Sequence, residues 1–487
     1  MPRILGLFFC LFFSTIVSAE TFHLARSDGS TITYYLDIPN NTQSFSIFAM
    51  LQGSDCQNVG DKYPGFKAFF TNVLKMAILT VEKPGLPTAE PGCPREYFIR
   101  NTIDQRLEDF QAVMGELRTN VSAWDRRLYL EGGSEGAVVG GLLTPLIPEI
   151  KAAMLLAGGG GRTMAEELLL LRQKELVAQG ASENQISSAL SEMRANFEEI
   201  RTNPTSDLTW YGETNTYKWW SSILFRSLVD PLQSSLMPLY IVQGAADESV
   251  PVESADELIS ALGHAGREEV TYVRREGLSH SWVDSSGQPH AEQIFSSTII
   301  WLMAFEDQEI RSRLMELLRQ NPEHPDLPEL ANRMAAIDQR NTLAMKVLIG
   351  RSGFPLISSH GAQANRDGWL LVQHADQDVN FQRTILGILE TALTQHDTNP
   401  PDVAYLADRV MVNERFQSGQ SPEQHFGTQG RVVDGCWVPW TILELPTVDA
   451  RRTVYELEPL ADYIRRNNDL YGDGECQAQG GPSPSTH

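Results

Sequence analysis

Hydrophobic positions in the first two thirds of the chain follow two alternating periods. Residues 31–39 (TITYYLDIP) and 44–52 (SFSIFAMLQ) are β-branched and aromatic runs bounded by turn residues such as Ser27-Asp28-Gly29, and they predict strands. A helical stretch leads into a third strand, 76–85 (MAILTVEKPG), which ends at a Pro-Gly stop. Ile103, Leu107, Phe110, Met114 and Leu117 then step by three and four, the apolar stripe of a helix lying on a sheet. Strand and helix continue to alternate through 126–133 (RRLYLEGG), 137–147 (AVVGGLLTPLI) and 152–161 (AAMLLAGGGG). The same order resumes at 238–247 (PLYIVQGAAD), a helix from about Val252, 270–280 (VTYVRREGLSH) and a helix at 291–305. Such alternation predicts a mainly parallel sheet with helices on both faces.

Between these blocks, residues 162–235 hold no strand pattern. Ser182 and Gln185 have capping-box spacing, and Ile186, Ala189, Met193, Phe197 and Ile200 form one apolar face. This segment reads as a helical cap inserted into the α/β domain. Pro322, Pro325 and Pro328 lie close together and mark the expected end of that domain near residue 320. Residues 321–487 read as a mainly helical second domain with a polar tail, GGPSPSTH.

At 487 residues, 42% hydrophobic and 21% charged, the chain can bury two ordinary cores. The formal charge of -23 argues against a nucleic-acid partner and against an anionic membrane surface. The chain opens with one cationic side chain, an apolar run from Ile4 to Phe13 and the small-residue pattern Val17-Ser18-Ala19. That is the plan of a secretory signal occupying residues 1–19, and its apolar run is short for a membrane span. The expectation is therefore a periplasmic or secreted protein beginning at Glu20. Cys56, Cys93, Cys436 and Cys476 then remain, and an oxidising compartment makes them candidates for disulfides. The local pairs Cys56–Cys93 and Cys436–Cys476 are favoured, each closing a loop worth roughly 4 kcal/mol in the chain-entropy model.

Residues 132–136, Gly-Gly-Ser-Glu-Gly, spell G-x-S-x-G, and the serine falls between a predicted strand and a predicted helix. A nucleophile elbow requires that context, because the turn is tight and the helix lies close to the strand. A hydroxyl also needs a base and a carboxylate that orients it. Asp247 and His280 follow in the order Ser, acid, His, each just past the carboxyl end of a predicted strand. Glu248 is an alternative acid, and His264 and His290 are competing bases. The oxyanion donors expected are the backbone N–H of Glu135 and one from the loop after the second strand, Ser54 or Gly53. Trp219 and Trp220 are candidate lining for an apolar substrate pocket.

Residues 30 to 305 resemble the α/β-hydrolase family, through the elbow at Ser134, GAADESVP around Asp247 and GLSHSW around His280. The resemblance implies a serine hydrolase of the esterase, lipase, thioesterase or peptidase kind. Such an enzyme works through an acyl-enzyme without a cofactor on a small-molecule or peptide substrate. Gln52-Gly53 stands where His-Gly is common in that family. Residues 330 to 465, with GWLLVQHADQDVNFQ, YLADRVMVNE and HFGTQ, resemble an uncharacterised bacterial domain that brings no activity with it. His374, Asp376 and Asp378 have a metal-like look, but positions two apart on a helix face different ways, so a structural role is expected for them and for His425. Trp369 and Phe381 read as core, and no metal is expected. The rival readings are a binding protein on the same scaffold, or separate chemistry in the second domain.

Overall fold

The computed structural model describes residues 20–60, 62–86, 93–212 and 215–472. The chain divides into two compact units, residues 1–290 and 291–487. The expected signal, residues 1–19, and Cys476 lie outside the described residues.

The first unit is built on eight strands: β1 (Glu20–Ala25), β2 (Thr31–Asp37), β3 (Phe45–Leu51), β4 (Ala77–Val81), β5 (Trp124–Gly133), β6 (Ile150–Leu156), β7 (Leu239–Gly244) and β8 (Val270–Arg275). They form one sheet in the order β1-β2-β4-β3-β5-β6-β7-β8. The pairs β1–β2 and β2–β4 are antiparallel, and every pair from β4–β3 onward is parallel. This strand order is that of the α/β-hydrolase fold.

The central strands are apolar on both faces, as strands covered twice must be. Ile47, Ala49, Leu128, Leu130, Ala153 and Leu239 are fully buried in one core. Helices α1 (Pro64–Ala68), α2 (Arg95–Arg100), α3 (Ile103–Asn120) and α4 (Glu135–Leu143) lie on the connections of the first half. The predicted stripe from Ile103 to Leu117 is the buried face of α3, whose start is capped by the Thr102 hydroxyl accepting from the Gln105 N–H at 3.1 Å.

Residues 162–235 are helical, as their pattern predicts: α5 (Met164–Ala178), α6 (Glu183–Thr202), α7 (Tyr217–Ile223) and α8 (Val229–Ser234). Two capping boxes punctuate them, Ser182 with Gln185 and also Thr163 with Glu166. Helix α9 (Val252–His264) returns the chain to β8.

The second unit opens with α10 (Ala291–Gln320), a single unbroken helix of 30 residues. The prolines near 322 therefore mark the turn between α10 and α11 (Leu327–Ser352), not the division of the chain, which falls ahead of α10 at His290. Proline stops a helix wherever it falls, and here it stops one inside a unit. The helices α12 (Ile357–His360), α13 (Ala362–Gln373), α14 (Val379–Leu393) and α15 (Pro400–Gln417) follow. Four short strands then appear that the helical reading of this part did not foresee: β9 (Glu423–Gln424), β10 (Gly430–Val433), β11 (Cys436–Pro439) and β12 (Thr441–Ile442). They make two small sheets before α16 (Val448–Val454) and α17 (Leu460–Tyr471).

Candidate active site

The turn from β5 into α4 places Ser134 at φ 56°, ψ -125°. A side chain in this region of backbone space is strained, and the turn persists only because its surroundings fix it. A Cβ built on Gly132 would stand 2.2 Å from the Gly136 carbonyl oxygen, and one on Gly136 would stand 2.1 Å from that of Leu51. Neither position has room for a side chain. The Ser134 N–H donates to the Leu156 carbonyl at 2.8 Å, which ties the turn to the end of β6.

Asp247 lies three residues beyond β7 and His280 five beyond β8. The two meet at the same sheet edge as Ser134. The His280 Nδ1–H donates to the Asp247 carboxylate, 2.9 Å to Oδ2 and 3.0 Å to Oδ1. The Nε2 lone pair then faces the Ser134 hydroxyl, which donates to it at 3.1 Å.

Asp247 is held from all sides. Its Oδ1 accepts from the Ser249 and Val250 N–H groups, both at 2.8 Å, and its Oδ2 from Gln243 Nε2 at 2.8 Å. Its side chain is wholly buried. The hydrogen bond to Asp247 raises the His280 pKa above the ordinary 6.5, against the opposing effect of burial. Glu248 does not compete for the ring; its carboxylate accepts from the His280 backbone N–H at 3.2 Å. His290 pairs with Asp284 at 2.9 Å, and His264 is exposed at the end of α9.

The loop after β3 runs beside Ser134. In register, Leu51 is opposite Gly132, and a Cβ on Gly53 would stand 3.7 Å from that of Ser134. Among the described residues, no group accepts from the N–H of Glu135 or of Ser54. The Glu135 side chain is buried and ion-paired with Arg106 of α3, whose Nη2 also donates to the Gln52 carbonyl at 2.9 Å. Lys83, just past β4, donates to the Asp55 carbonyl, and burial lowers its pKa to about 8. Cys56 and Cys93 form the expected disulfide and close the same loop.

Three features escaped the sequence reading. Gln243 had a signal, a polar residue on an otherwise apolar strand; Arg106 had none, since α3 carries many charged residues. Glu167 of α5, whose carboxyl burial pushes up to about 7, gave none. It accepts from the Ser254 hydroxyl at 2.5 Å and from the Gly160 N–H at 3.3 Å.

Trp219 and Trp220 are 5% and 4% exposed and belong to the core of the first unit, in place of the pocket lining expected of them. The physical reason is edge-to-face packing: Trp219 on Trp220 at 4.7 Å and Trp220 on Trp210 at 5.0 Å.

In the second unit, His374, Asp376 and Asp378 go separate ways. Asp376 pairs with Arg409 and accepts from Asn413 at 2.8 Å. Asp378 caps α14 at the Phe381 N–H and pairs with Lys346. His374 Nδ1 meets the buried carboxylate of Asp307 at 2.7 Å. Asp338 joins these two, so that ligand-type atoms of all three lie within 4.8 Å of one another. Arg311 donates to both carboxylates, however, and ties α10 to α11. A metal ion there would have to displace a guanidinium. The Asp408 carboxylate accepts from the His425 backbone N–H at 2.8 Å, Trp369 is 9% exposed, and the Lys346 ammonium lies 5.4 Å over the Phe381 ring.

Residues 297–474 match a family of unknown function, DUF6624. No curated protein matches the chain. Among solved structures, the chain is similar to Est1E from Butyrivibrio proteoclasticus at 15% identity, over 53% of this chain and 90% of that one, with a TM-score of 0.35. A Pyrococcus furiosus esterase is similar at 14% identity over 56% and 87%, with a TM-score of 0.36. A puromycin-hydrolyzing peptidase of Mycobacterium tuberculosis is similar at 17% over 57% of this chain and 39% of that one, with a TM-score of 0.38. Described helices long and apolar enough to cross a membrane number none.

Proposed function

We propose that the first unit is a serine hydrolase that cleaves an ester or amide bond of a small-molecule or peptide substrate. One observation carries the reading: Ser134 Oγ lies 3.1 Å from His280 Nε2 on a strained turn between a strand and a helix. Ser134 attacks the carbonyl carbon while His280 takes the hydroxyl proton, and the carbonyl oxygen becomes an oxyanion. The N–H of Glu135 and one from Gly53 or Ser54 receive that charge. Collapse expels the leaving group, which takes the proton from His280 and leaves an acyl-serine. Water, deprotonated by His280, repeats the sequence and frees the acid. Asp247 holds the ring in the Nδ1–H tautomer and stabilises the imidazolium.

The protein acts outside the cytoplasm, in the periplasm or beyond the cell. The signal-like pattern of residues 1–19 and the Cys56–Cys93 bond support that reading, and a second bond, Cys436–Cys476, belongs to it. No cofactor enters these steps.

A fluorophosphonate probe on the purified, oxidised protein tests the reading. Labelling of wild type and its loss in Ser134→Ala are the expected result. A folded wild type that does not label would make the first unit a binding protein on a hydrolase scaffold.

A further inference from the structure

Resting on the hydrolase reading, the geometry points to Arg106 as the positioning residue that locks the two halves of the oxyanion site to each other. The donors of that site come from separate elements, Glu135 at the head of α4 and the loop after β3. The β3–β5 ladder brings them together as far as Leu51 and Gly132, and beyond it, among the described residues, no backbone–backbone hydrogen bond joins the loop to the head of α4. Arg106 reaches both: one arm of the guanidinium pairs with the Glu135 carboxylate and the other donates to the Gln52 carbonyl at 2.9 Å. The side chains of Arg106 and Glu135 are 7% and 2% exposed, so both contacts lie out of water, where they are strong and where neither charge can be left alone.

The contact with Gln52 fixes more than a carbonyl. A trans peptide is planar, so anchoring the Gln52 C=O also fixes the N–H of Gly53, which points the opposite way. The backbone of Gly53 passes close to the Ser134 Cβ, as its own virtual Cβ at 3.7 Å shows. The planar five-donor fork of arginine suits two acceptors at once, and the point charge of lysine does not. Lys83 repeats the device one turn of the loop later by holding the Asp55 carbonyl. Arg106, Lys83 and the Glu135 carboxylate are thus all buried behind the loop. Arg106 touches neither Ser134 nor His280 in any described contact, so it acts through the groups it holds.

The test compares wild type with Arg106→Met, Arg106→Lys and the double variant Arg106→Met/Glu135→Gln, using p-nitrophenyl acetate turnover, fluorophosphonate labelling rate and melting temperature. Arg106→Met should lower kcat about 10- to 100-fold with KM within about threefold, and slow labelling in parallel. The acid limb of the pH profile should stay in place, because Asp247 and His280 are untouched. Arg106→Lys should recover little of the rate. The double variant, free of the stranded carboxylate, should regain melting temperature without regaining kcat. Folded Arg106 variants with kcat within twofold of wild type would overturn the assignment, as would a double variant that regains full turnover, since Arg106 would then only neutralise Glu135. A wild type that neither labels nor turns over ends the hydrolase reading and this role together. Loss of rate confined to variants of a labelling wild type separates the two.

Discussion

Each unit contains a buried aspartate hydrogen-bonded to histidine Nδ1: Asp247 with His280 in the first, Asp307 with His374 in the second. Both carboxylates are wholly shielded from solvent, and the distances are 2.9 and 2.7 Å. As pairs they are nearly the same object. What differs is what stands on either side. Beyond His280 Nε2 is a hydroxyl on a strained turn, with unpaired backbone N–H groups at hand. Asp247 is held by neutral donors, the Ser249 and Val250 amides and Gln243, so its charge is left to act on the imidazole. Asp307 shares its charge with Arg311 of its own helix, which also pairs with Asp338 of α11. An Asp–His pair therefore says little by itself; the hydroxyl beyond it and the absence of a competing cation behind it are what the proposed chemistry needs.

The largest effect should come from removing the nucleophile or base. Ser134→Ala and His280→Ala should each lower kcat by about 10⁴-fold or more, with the double variant no worse than the poorer single. His374→Ala should leave turnover within twofold, and a 100-fold loss there would break the distinction between the pairs.

Next comes Asp247→Asn, with a fall of roughly 10³- to 10⁴-fold through the wrong imidazole tautomer. Asp307→Asn should spare turnover but destabilise the second unit by about 3 kcal/mol, because Arg311 loses a buried partner. Chemical denaturation followed alongside activity separates the two outcomes.

The dependence on pH gives a smaller and sharper contrast. Turnover needs neutral His280, so kcat/KM should rise with pH through a midpoint above 6.5, where the raised pKa puts it. For stability the sign is opposite. A raised histidine pKa favours the folded state while the ring is protonated, and this contribution is present below pH 6.5 and fades as pH climbs through the folded value. In Gln243→Leu, which removes one donor from Asp247, kcat should fall about tenfold. A folded Gln243→Leu enzyme with wild-type kcat would show that the clamp on Asp247 is dispensable.

Much of this site is legible in the sequence because its parts are local. Strand period followed by helix period brackets Ser134, and the turns after two further strands carry Asp247 and His280 to one edge of a parallel sheet. The disulfide Cys56–Cys93 follows from parity and proximity along the chain. Arg106 and Gln243 are harder. Arg106 meets Glu135 and Gln52 only through crossovers that bring α3 beside the heads of α4 and the β3 loop, so its partners cannot be read from its neighbours in sequence. The Trp219–Trp220 pair misleads for the opposite reason, since large rings fill cores and pockets by the same force. In the second unit, strands of two to four residues are too short to establish a period, and a proline cluster inside one unit looks like a seam between two.

The turn at Ser134 also divides the letters of its own motif into those that can change and those that cannot. Gly132 and Gly136 are closed to every side chain by backbone atoms just over 2 Å away. At Gly133, by contrast, a Cβ would meet only the Leu156 carbonyl oxygen, at 4.0 Å, and no left-handed φ stands in its way. Gly133→Ala should be accepted with turnover changed by no more than about twofold, and by losing unfolded-state freedom it should gain up to about 1 kcal/mol of stability. Position 133 is thus a place where evolution, or a library, can alter the approach to the nucleophile one atom at a time without disturbing the elbow.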